Sequence, residues 1–225
     1  KRLALDTPGV RAGRVEVMPR FKPQQRRNDV PGVITVMALP FKPQALPPNP
    51  RPDRPFIEAV HTQLSERRPV ATELYVIGCE YVALGLSIGI TIREGFGRDS
   101  VLNAVRDSLR LFLWPLAPGG IDGGGWPLGR SVRDREIEVV VARVPGVNTV
   151  TGVNLFKRSG ADWQMIAHPN ACAPIEMSLQ SWQLPELLSV VVVADANPPD
   201  NLRGVPNPFG DQGGVVAVPV VPEVC

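Results

Sequence analysis

The chain has 225 residues, enough for one large domain or two small ones with a sizeable core. Hydrophobic residues make up 44% and charged residues 20%, which is ordinary globular usage, but 25 Pro and 21 Gly interrupt regular structure. Residues 1–68 carry 13 Lys and Arg against 6 Asp and Glu, a net charge of +7, and residues 69–225 carry 11 against 16, a net charge of −5. The basic residues are scattered among prolines without interleaved aromatic platforms, so the asymmetry favours a solvated or subunit-docking face over nucleic-acid contact.

Targeting and covalent features exclude further classes of protein. No segment near the start has the layout of a secretory signal, and residues 84–92 are too short and too interrupted by glycine to span a bilayer. The three cysteines are widely separated and odd in number, which argues against a disulfide framework. We therefore expect a soluble protein made in the cytoplasm. Because the chain begins at Lys1, we also expect it to be a piece of something longer.

The first forty residues hold two predicted strands, residues 13–18 (GRVEVM) and 33–39 (VITVMAL). Both are rich in β-branched residues and bounded by Pro or Gly, so they are suited to pair as a small hairpin-like unit. In the segment 40–55, seven of sixteen residues are proline. Proline fixes φ and removes a backbone donor, so this segment is predicted to be an extended linker.

The next part of the chain mixes helical and strand patterns. Apolar residues recur at helical spacing over residues 56–67, and a proline then stops the helix. Residues 72–77 and 81–92 are predicted strands, and the second is long and apolar enough to form the centre of a sheet. Gly85 and Gly89 within it suit a bulge or a close neighbour.

The clearest helical pattern of the chain covers residues 100–113, with Asp99 or Ser100 as the predicted N-cap. The segment 118–129 (PGGIDGGGWPLG) has six glycines in twelve residues and is predicted to be an irregular loop. Residues 131–144 fit both a helix and a strand, and we favour the helix.

Three further strands are predicted over residues 149–156, 163–167 and 187–194. Beyond residue 196, six prolines and four glycines predict an extended carboxy-terminal region that includes the strand-like run 215–218. A valine-rich extended segment of this kind suits addition to the sheet edge of a neighbour, because its main chain is free to form ladder hydrogen bonds.

Signatures of enzyme chemistry are weak throughout the sequence. A phosphate-binding loop ends in Lys followed by Ser or Thr, but Trp126 and Pro127 follow the glycines here. The sequence has two histidines, His61 and His168, and structural zinc takes four ligands, so the histidines alone do not predict a zinc site. We predict no catalytic, cofactor-binding or metal-binding residue. A hydrolase-like α+β enzyme that assembles His61, His168 and Asp134 in a cleft stays open as an alternative.

Two motifs have both a structural and a functional interpretation. Arg67 and Arg68 lie at the predicted end of a helix, where capping of the last carbonyls is favoured over contact with a partner's carboxylate. Trp126, an aromatic residue within the glycine-rich loop, either anchors that loop to its own core or enters a neighbour. The sequence gives both alternatives for Trp126 equal weight.

Several segments together resemble a known family. They are ERRPVATELYVIGCEYVALGLSIGI, a helix ending in FLWPL, the loop GGIDGGGWPLGRSV and the turn RVPGVNTVTGVNL, with TPGVRAGRVEVMPR and DVPGVITVMALP upstream. Over residues 6–156, the chain is similar to the carboxy-terminal portion of baseplate J-like wedge proteins of contractile phage tails and phage-tail-like injection particles.

The resemblance implies a structural, non-enzymatic wedge subunit in a phage tail or an injection particle. Its implied partners are other copies of itself, companion wedge subunits, the spike or hub and sheath-proximal proteins, with no cofactor, nucleic acid or membrane insertion. The expected domains are the end of an upstream β-rich domain (1–40), a Pro-rich linker (41–55), an α+β baseplate J-like domain (56–167) and an extended region (168–225). The expected fold class is α+β, with small mixed sheets and two or three packed helices.

Segments rich in Pro or Gly carry little core of their own and usually become ordered against neighbours. The predicted protein-interface residues therefore lie in the Pro-rich linker 41–55 (the proline-rich arm), in the glycine-rich loop 118–129 and in the carboxy-terminal tail. They are Pro47, Pro48, Arg51, Arg54, Trp126, Val215, Val216 and Val218. A nucleic-acid-binding module that uses the basic amino-terminal half is a further alternative, and it predicts steeply salt-dependent binding.

Overall fold

The computed structural model describes residues 1–160, 162–167 and 173–202. The chain divides into two compact units. Among the described residues, unit 1 comprises Lys1–Gln44 and Pro50–Glu80, and unit 2 comprises Ala45–Asn49 and the chain from Tyr81 onward. Each unit contains helices packed with small sheets, so the predicted α+β class is confirmed.

The described residues form four α-helices and nine β-strands. In chain order they are α1 Arg2–Leu5, β1 Ala12–Pro19, β2 Val33–Pro40, α2 Arg54–Ser65, β3 Glu73–Ile77, β4 Glu80–Ile92, α3 Arg98–Phe112, β5 Val132–Arg133, α4 Asp134–Ala142, β6 Val147–Ser159, β7 Asp162–Met165, β8 Glu176–Met177 and β9 Gln183–Ala194. The helix favoured over residues 131–144 is present as α4, while the sequence-based prediction did not include α1, β5 and β8.

Unit 1 is built on a three-stranded sheet in the order β1-β2-β3. β1 and β2 are antiparallel, as the predicted hairpin-like unit requires, and β3 lies parallel to β2 with Val76 opposite Val36. A parallel return needs a crossover, and α2 supplies it while burying Phe56, Ile57 and Val60 in the core of this unit. The segment that ends with β3 therefore belongs with the amino-terminal sheet.

The two ends of α2 are fixed by side chains. Asp53 is the N-cap, and its carboxylate accepts a hydrogen bond of 3.0 Å from the Phe56 N–H. At the other end, Arg67 Nη1 donates to the Gln63 carbonyl over 2.8 Å. The predicted capping role of Arg67 is confirmed, since its guanidinium satisfies a carbonyl in the last turn.

Unit 2 is built on a four-stranded sheet in the order β7-β6-β4-β9, which places β4 in its interior as predicted. β4 and β6 are antiparallel, with Leu86 opposite Leu155, and the register shifts next to Gly89. α3 packs against β9, α4 packs against β6, and the two helices also pack against each other. The short strands β5 and β8 form a separate pair.

The glycines of β4 lie where neighbouring atoms approach the strand closely. A Cβ atom on Gly85 would come within 3.1 Å of the Trp163 ring, and one on Gly89 would lie 3.0 Å from Pro198 Cδ. Both distances are shorter than ordinary van der Waals contact, so a larger residue would force these neighbours to move. The prediction of a bulge or a close neighbour is thus confirmed by close neighbours at both glycines and by the register shift beside Gly89.

The start of α3 differs from the prediction. The N-cap is Gly97, which makes no side-chain cap bond, and Asp99 lies inside the first turn. The proposed Asp99 or Ser100 cap is wrong because the helix begins at Arg98. Asp99 still favours this end of the helix, since a carboxylate in the first turn complements the macrodipole.

Among the described residues, no helix has the length and apolar character needed to cross a membrane.

Candidate interaction surfaces

Part of the proline-rich arm is held firmly within unit 2. The Asn49 N–H donates to Glu186 Oε1 over 2.8 Å, and Asn49 Nδ2 donates to the Pro185 carbonyl over 3.2 Å. Asn49 is 7% exposed and Glu186 is 3% exposed, so these bonds lie away from solvent. Buried polar groups need such partners, and the segment Ala45–Asn49 is therefore anchored in its own chain.

The predicted interface residues of the arm differ in accessibility. Pro47 is half-buried, whereas Pro48, Arg51 and Arg54 are exposed. Arg54 Nε lies 2.6 Å from a carboxylate oxygen of Glu58, one helical turn away. A partner contact by these residues stays a prediction, and the exposed ones have the surface access that it requires.

Trp126 is fully buried within unit 2. Its ring meets the Phe112 ring edge-on at a centroid distance of 5.3 Å, and its indole N–H donates to the Arg130 carbonyl over 3.0 Å. The side chain thus follows the first of its two alternatives and anchors the glycine-rich loop to the core of its own chain. Contact of this loop with a neighbour stays a prediction.

The glycine-rich loop is irregular, as predicted, but its path is defined by backbone hydrogen bonds. The Gly120 N–H donates to the Phe112 carbonyl over 3.0 Å, the Trp126 N–H to the Trp114 carbonyl over 2.8 Å, and the Gly129 N–H to the Gln183 carbonyl over 2.9 Å. These bonds tie the loop to the end of α3 and to the start of β9.

An open groove of about 720 Å³ lies between α3, the glycine-rich loop and α4 in unit 2. Three of its apolar side chains are unusually accessible: Leu111 is 42% exposed, Ile121 44% and Val139 50%. The other apolar residues that line it are Phe112, Pro118, Val140, Val144 and Pro145. A contiguous exposed apolar surface of this kind marks an interaction site more often than scattered single residues do.

Some charged side chains of the groove form ion pairs, and one has no partner among the described residues. Arg130 Nη2 lies 2.5 Å from Glu136 Oε1, and Arg135 Nη1 lies 3.4 Å from Glu138 Oε2. Arg143 is exposed, and its guanidinium forms no hydrogen bond or ion pair with any residue in the described part of the chain. The groove therefore carries an uncompensated positive charge at the carboxy-terminal end of α4.

Sequence reasoning did not identify this groove, although α4 carries a pattern that points to it. Ile137 and Val141 form the buried stripe of the helix. Glu136, Val139, Val140 and Arg143 lie at relative positions i, i+3, i+4 and i+7, which is a second stripe on one face. Val139 and Val140 in this second stripe widen the apolar surface of α4 beyond the buried positions, which indicates a contact besides that with the core.

Of the candidate residues for enzyme chemistry, His61 lies in unit 1 and Asp134 lies in unit 2, at the start of α4. His61 is half-buried in α2, and its pKa is lowered by burial and by the charge of Arg68, partly opposed by a hydrogen bond with the Leu74 backbone. No cluster of His, Cys, Asp or Glu that suits a metal ion occurs in the described ranges. His168 and the predicted tail residues Val215, Val216 and Val218 lie outside those ranges.

Many basic side chains of unit 1 are matched with carboxylates. The ion pairs are Arg14–Glu16 at 3.0 Å, Lys22–Glu73 at 3.1 Å, Arg26–Glu80 at 3.2 Å and Arg27–Asp29 at 2.9 Å. The hydrogen bond from Arg27 holds the pKa of Asp29 below its usual value. These pairs offset much of the positive charge that a track for a phosphate backbone would need.

Comparison with known proteins identifies a similar fold. No family model and no curated protein matches the sequence. Among solved structures, the fold resembles that of a chain in the cryo-EM structure of the anti-feeding prophage (AFP) baseplate, 6-fold symmetrised. The TM-score is 0.50 and the sequence identity is 15%, over 86% of this chain. The match spans 35% of the length of the baseplate chain, so this protein corresponds in fold to a part of it.

Proposed function

We propose that this protein is a structural, non-enzymatic subunit of the baseplate of a contractile injection system. The observation that carries the proposal is the similarity of fold to a chain of the AFP baseplate, which extends over 86% of the protein. The sequence resemblance described above rests on separate grounds, namely short motifs, and favours the same kind of particle.

More specifically, we propose the role of a baseplate J-like wedge subunit. The motifs that carry this resemblance fall in structured parts of the chain: ELYVI is β3, EYVALGLSIGITI is β4, and the GGGWPLG loop is pinned to α3 and β9. Such a subunit assembles with other copies of itself, with companion wedge subunits, with the spike or hub and with sheath-proximal proteins. It is made in the cytoplasm and ends in an assembled particle.

Deletion of the gene in the producing strain tests the baseplate role. We expect electron microscopy to show no sheathed particles after deletion and normal particles after complementation with the wild-type gene. Normal sheathed particles in the deletion strain would overturn the proposal. Complementation with His61→Gln is also expected to restore particles, because a scaffold does not need this titratable side chain. A folded His61→Gln protein that fails to complement would favour the enzyme alternative.

The position in the particle tests the more specific role. Purified particles that carry an epitope-tagged copy of the protein are expected to bind gold-labelled antibody at the baseplate end only. Label along the sheath or tube would contradict a wedge subunit, even if deletion abolished assembly.

A further inference from the structure

The groove between α3 and α4 has an apolar surface that the described part of the chain does not cover. Leu111 on α3, Ile121 on the loop and Val139 on α4 expose about half of their surfaces there. Exposed apolar area costs roughly 25 cal/mol per Å² relative to buried area. Another apolar surface that covers these three residues would therefore stabilise the protein.

The shape of the groove selects the kind of surface that fits. It is open to solvent and is lined by residues of two helices that pack against each other. α4 has nine residues and is therefore about 13 Å long at 1.5 Å per residue. An amphipathic helix of about three turns matches that length, and such helices commonly bind by laying their apolar face into a groove of this type.

The charges of the groove determine which charged side chains the incoming helix should carry beside its apolar face. Glu136 Oε1 pairs with Arg130, and Arg135 pairs with Glu138, whereas Glu136 Oε2 is buried without a hydrogen-bond partner among the described residues. Of the charged groups that reach the surface of the groove, Arg143 is the one to which the described residues offer no partner. A carboxylate on the incoming helix would pair with the Arg143 guanidinium, whereas a Lys at the same place would be repelled. The complementary partner is therefore apolar on one face and acidic along its edge.

We propose that the groove formed by α3, the glycine-rich loop and α4 binds an acidic amphipathic α-helix of a companion subunit. The assignment of this helix to a companion subunit rests on the proposed baseplate role. The chemistry of recognition rests on the groove itself: Leu111, Ile121 and Val139 contact the apolar face of the helix, and Arg143 pairs with a carboxylate at its edge.

A pair of synthetic peptides tests this inference on the isolated full chain. Both peptides are amphipathic helices of about four turns with Leu on one face, and they differ only in flanking Glu or flanking Lys. We expect the Glu peptide to bind about ten-fold more tightly than the Lys peptide. The Trp126 indole N–H resonance reports occupancy locally, because its ring contacts Phe112 in the groove wall.

Three variants separate the contributions of shape and charge. Val139→Asp places a charge on the apolar surface and is expected to weaken both peptides by about ten-fold or more. Arg143→Glu is expected to abolish or reverse the preference for the Glu peptide. Val70→Asp alters a residue that is 97% exposed in unit 1 and is expected to change neither affinity. Because Val139 and Arg143 are both exposed, circular dichroism should show that these variants remain folded.

Several results would overturn the inference. They are equal binding of the two peptides, binding that Val139→Asp leaves unchanged, or absence of binding at about 1 mM peptide. A dimer of the isolated chain that Val139→Asp dissociates would assign the groove to a second copy instead. Peptide binding is measured without particles, so its failure leaves the baseplate role standing. A particle that assembles normally without the gene would remove that role while leaving a measured peptide preference intact.

Discussion

Gly146 combines two constraints in the turn that precedes β6. Its φ is +91°, and a Cβ atom there would lie 2.6 Å from Val101 Cγ2 and 2.7 Å from Phe96 Cδ1. Gly95 in the same unit has a similar φ of +86° but open space around its Cβ position. Comparing substitutions at Gly95 and Gly146 therefore separates the cost of backbone strain from the cost of steric crowding.

We predict that Gly146→Ala is the more costly of the two substitutions. Gly95→Ala should lower the free energy of unfolding by about 1 kcal/mol through backbone strain alone. Gly146→Ala should lower it by about 2–4 kcal/mol, because displacement of Val101 and Phe96 adds to the same strain. Urea unfolding of both variants measures the difference, and equal losses would show that Val101 and Phe96 move aside without cost.

His61 gives unit 1 a predictable dependence on pH. Its pKa in the folded protein is lowered from 6.5, first by burial and then by the charge of Arg68. The unfolded chain therefore binds a proton more readily than the folded chain as the pH falls below about 6.5. Stability should decrease with falling pH from that point until the pH passes the lowered pKa of the folded state.

We predict that His61→Gln reduces this loss of stability on acidification. Urea unfolding of wild type and variant at about pH 7.5 and about pH 5.5 gives the two differences, and the carboxylates common to both proteins cancel in the comparison. Arg68→Gln should give an intermediate result, since it removes the second cause of the shift and keeps the first. An identical pH dependence in wild type and His61→Gln would contradict the assignment.

At the scale of elements, the arm is the segment whose behaviour the structure redefines. Its proline content predicts an extended linker, and within it Asn49 bonds to Glu186 and to the Pro185 carbonyl of unit 2. The bonds join residues more than 130 positions apart in sequence. Local composition correctly indicates that no helix or strand forms, but it contains no information on such a distant partner.

We predict that Glu186→Leu releases the arm and Glu186→Gln largely retains it. The Gln side chain keeps an acceptor oxygen for the buried Asn49 N–H, whereas Leu leaves that donor unsatisfied at a cost of about 1–3 kcal/mol. Hydrogen exchange at the Asn49 amide is the direct measurement. We expect strong protection in the wild type, similar protection in the Gln variant and fast exchange in the Leu variant. Fast exchange in the wild type would show that the anchor does not persist in solution.

Long elements were predictable because each shows several periods of its pattern. β4 has thirteen residues and α3 fifteen, so alternation and the apolar stripe are unmistakable. α1 has four residues and β8 has two, which is about one period or less, and neither carries a pattern of its own. The groove depends on three segments that meet in space, so only its α4 stripe was visible in the sequence.

At the scale of the whole molecule, the two units each have a separate apolar core. Ile57 belongs to the core of unit 1, where it is buried with α2 against β1, β2 and β3. Leu109 is fully buried on α3 in unit 2. The parallel pairing of β3 with β2 explains why unit 1 continues beyond the proline-rich segment as far as Glu80, although Ala45–Asn49 within that segment belongs to unit 2.

We predict that the two cores respond separately to matched substitutions. Ile57→Ala and Leu109→Ala each remove a large aliphatic side chain and should each cost about 2–5 kcal/mol. Native-state hydrogen exchange should show reduced protection of the Val36 and Val76 amides in Ile57→Ala, and of the Leu86 and Leu155 amides in Leu109→Ala. Each variant should leave the amides of the other core unchanged, because each substitution removes contacts in one core only. If either substitution lowers protection in both cores equally, the chain unfolds as one cooperative unit, and the separate cores do not act as independent units of stability.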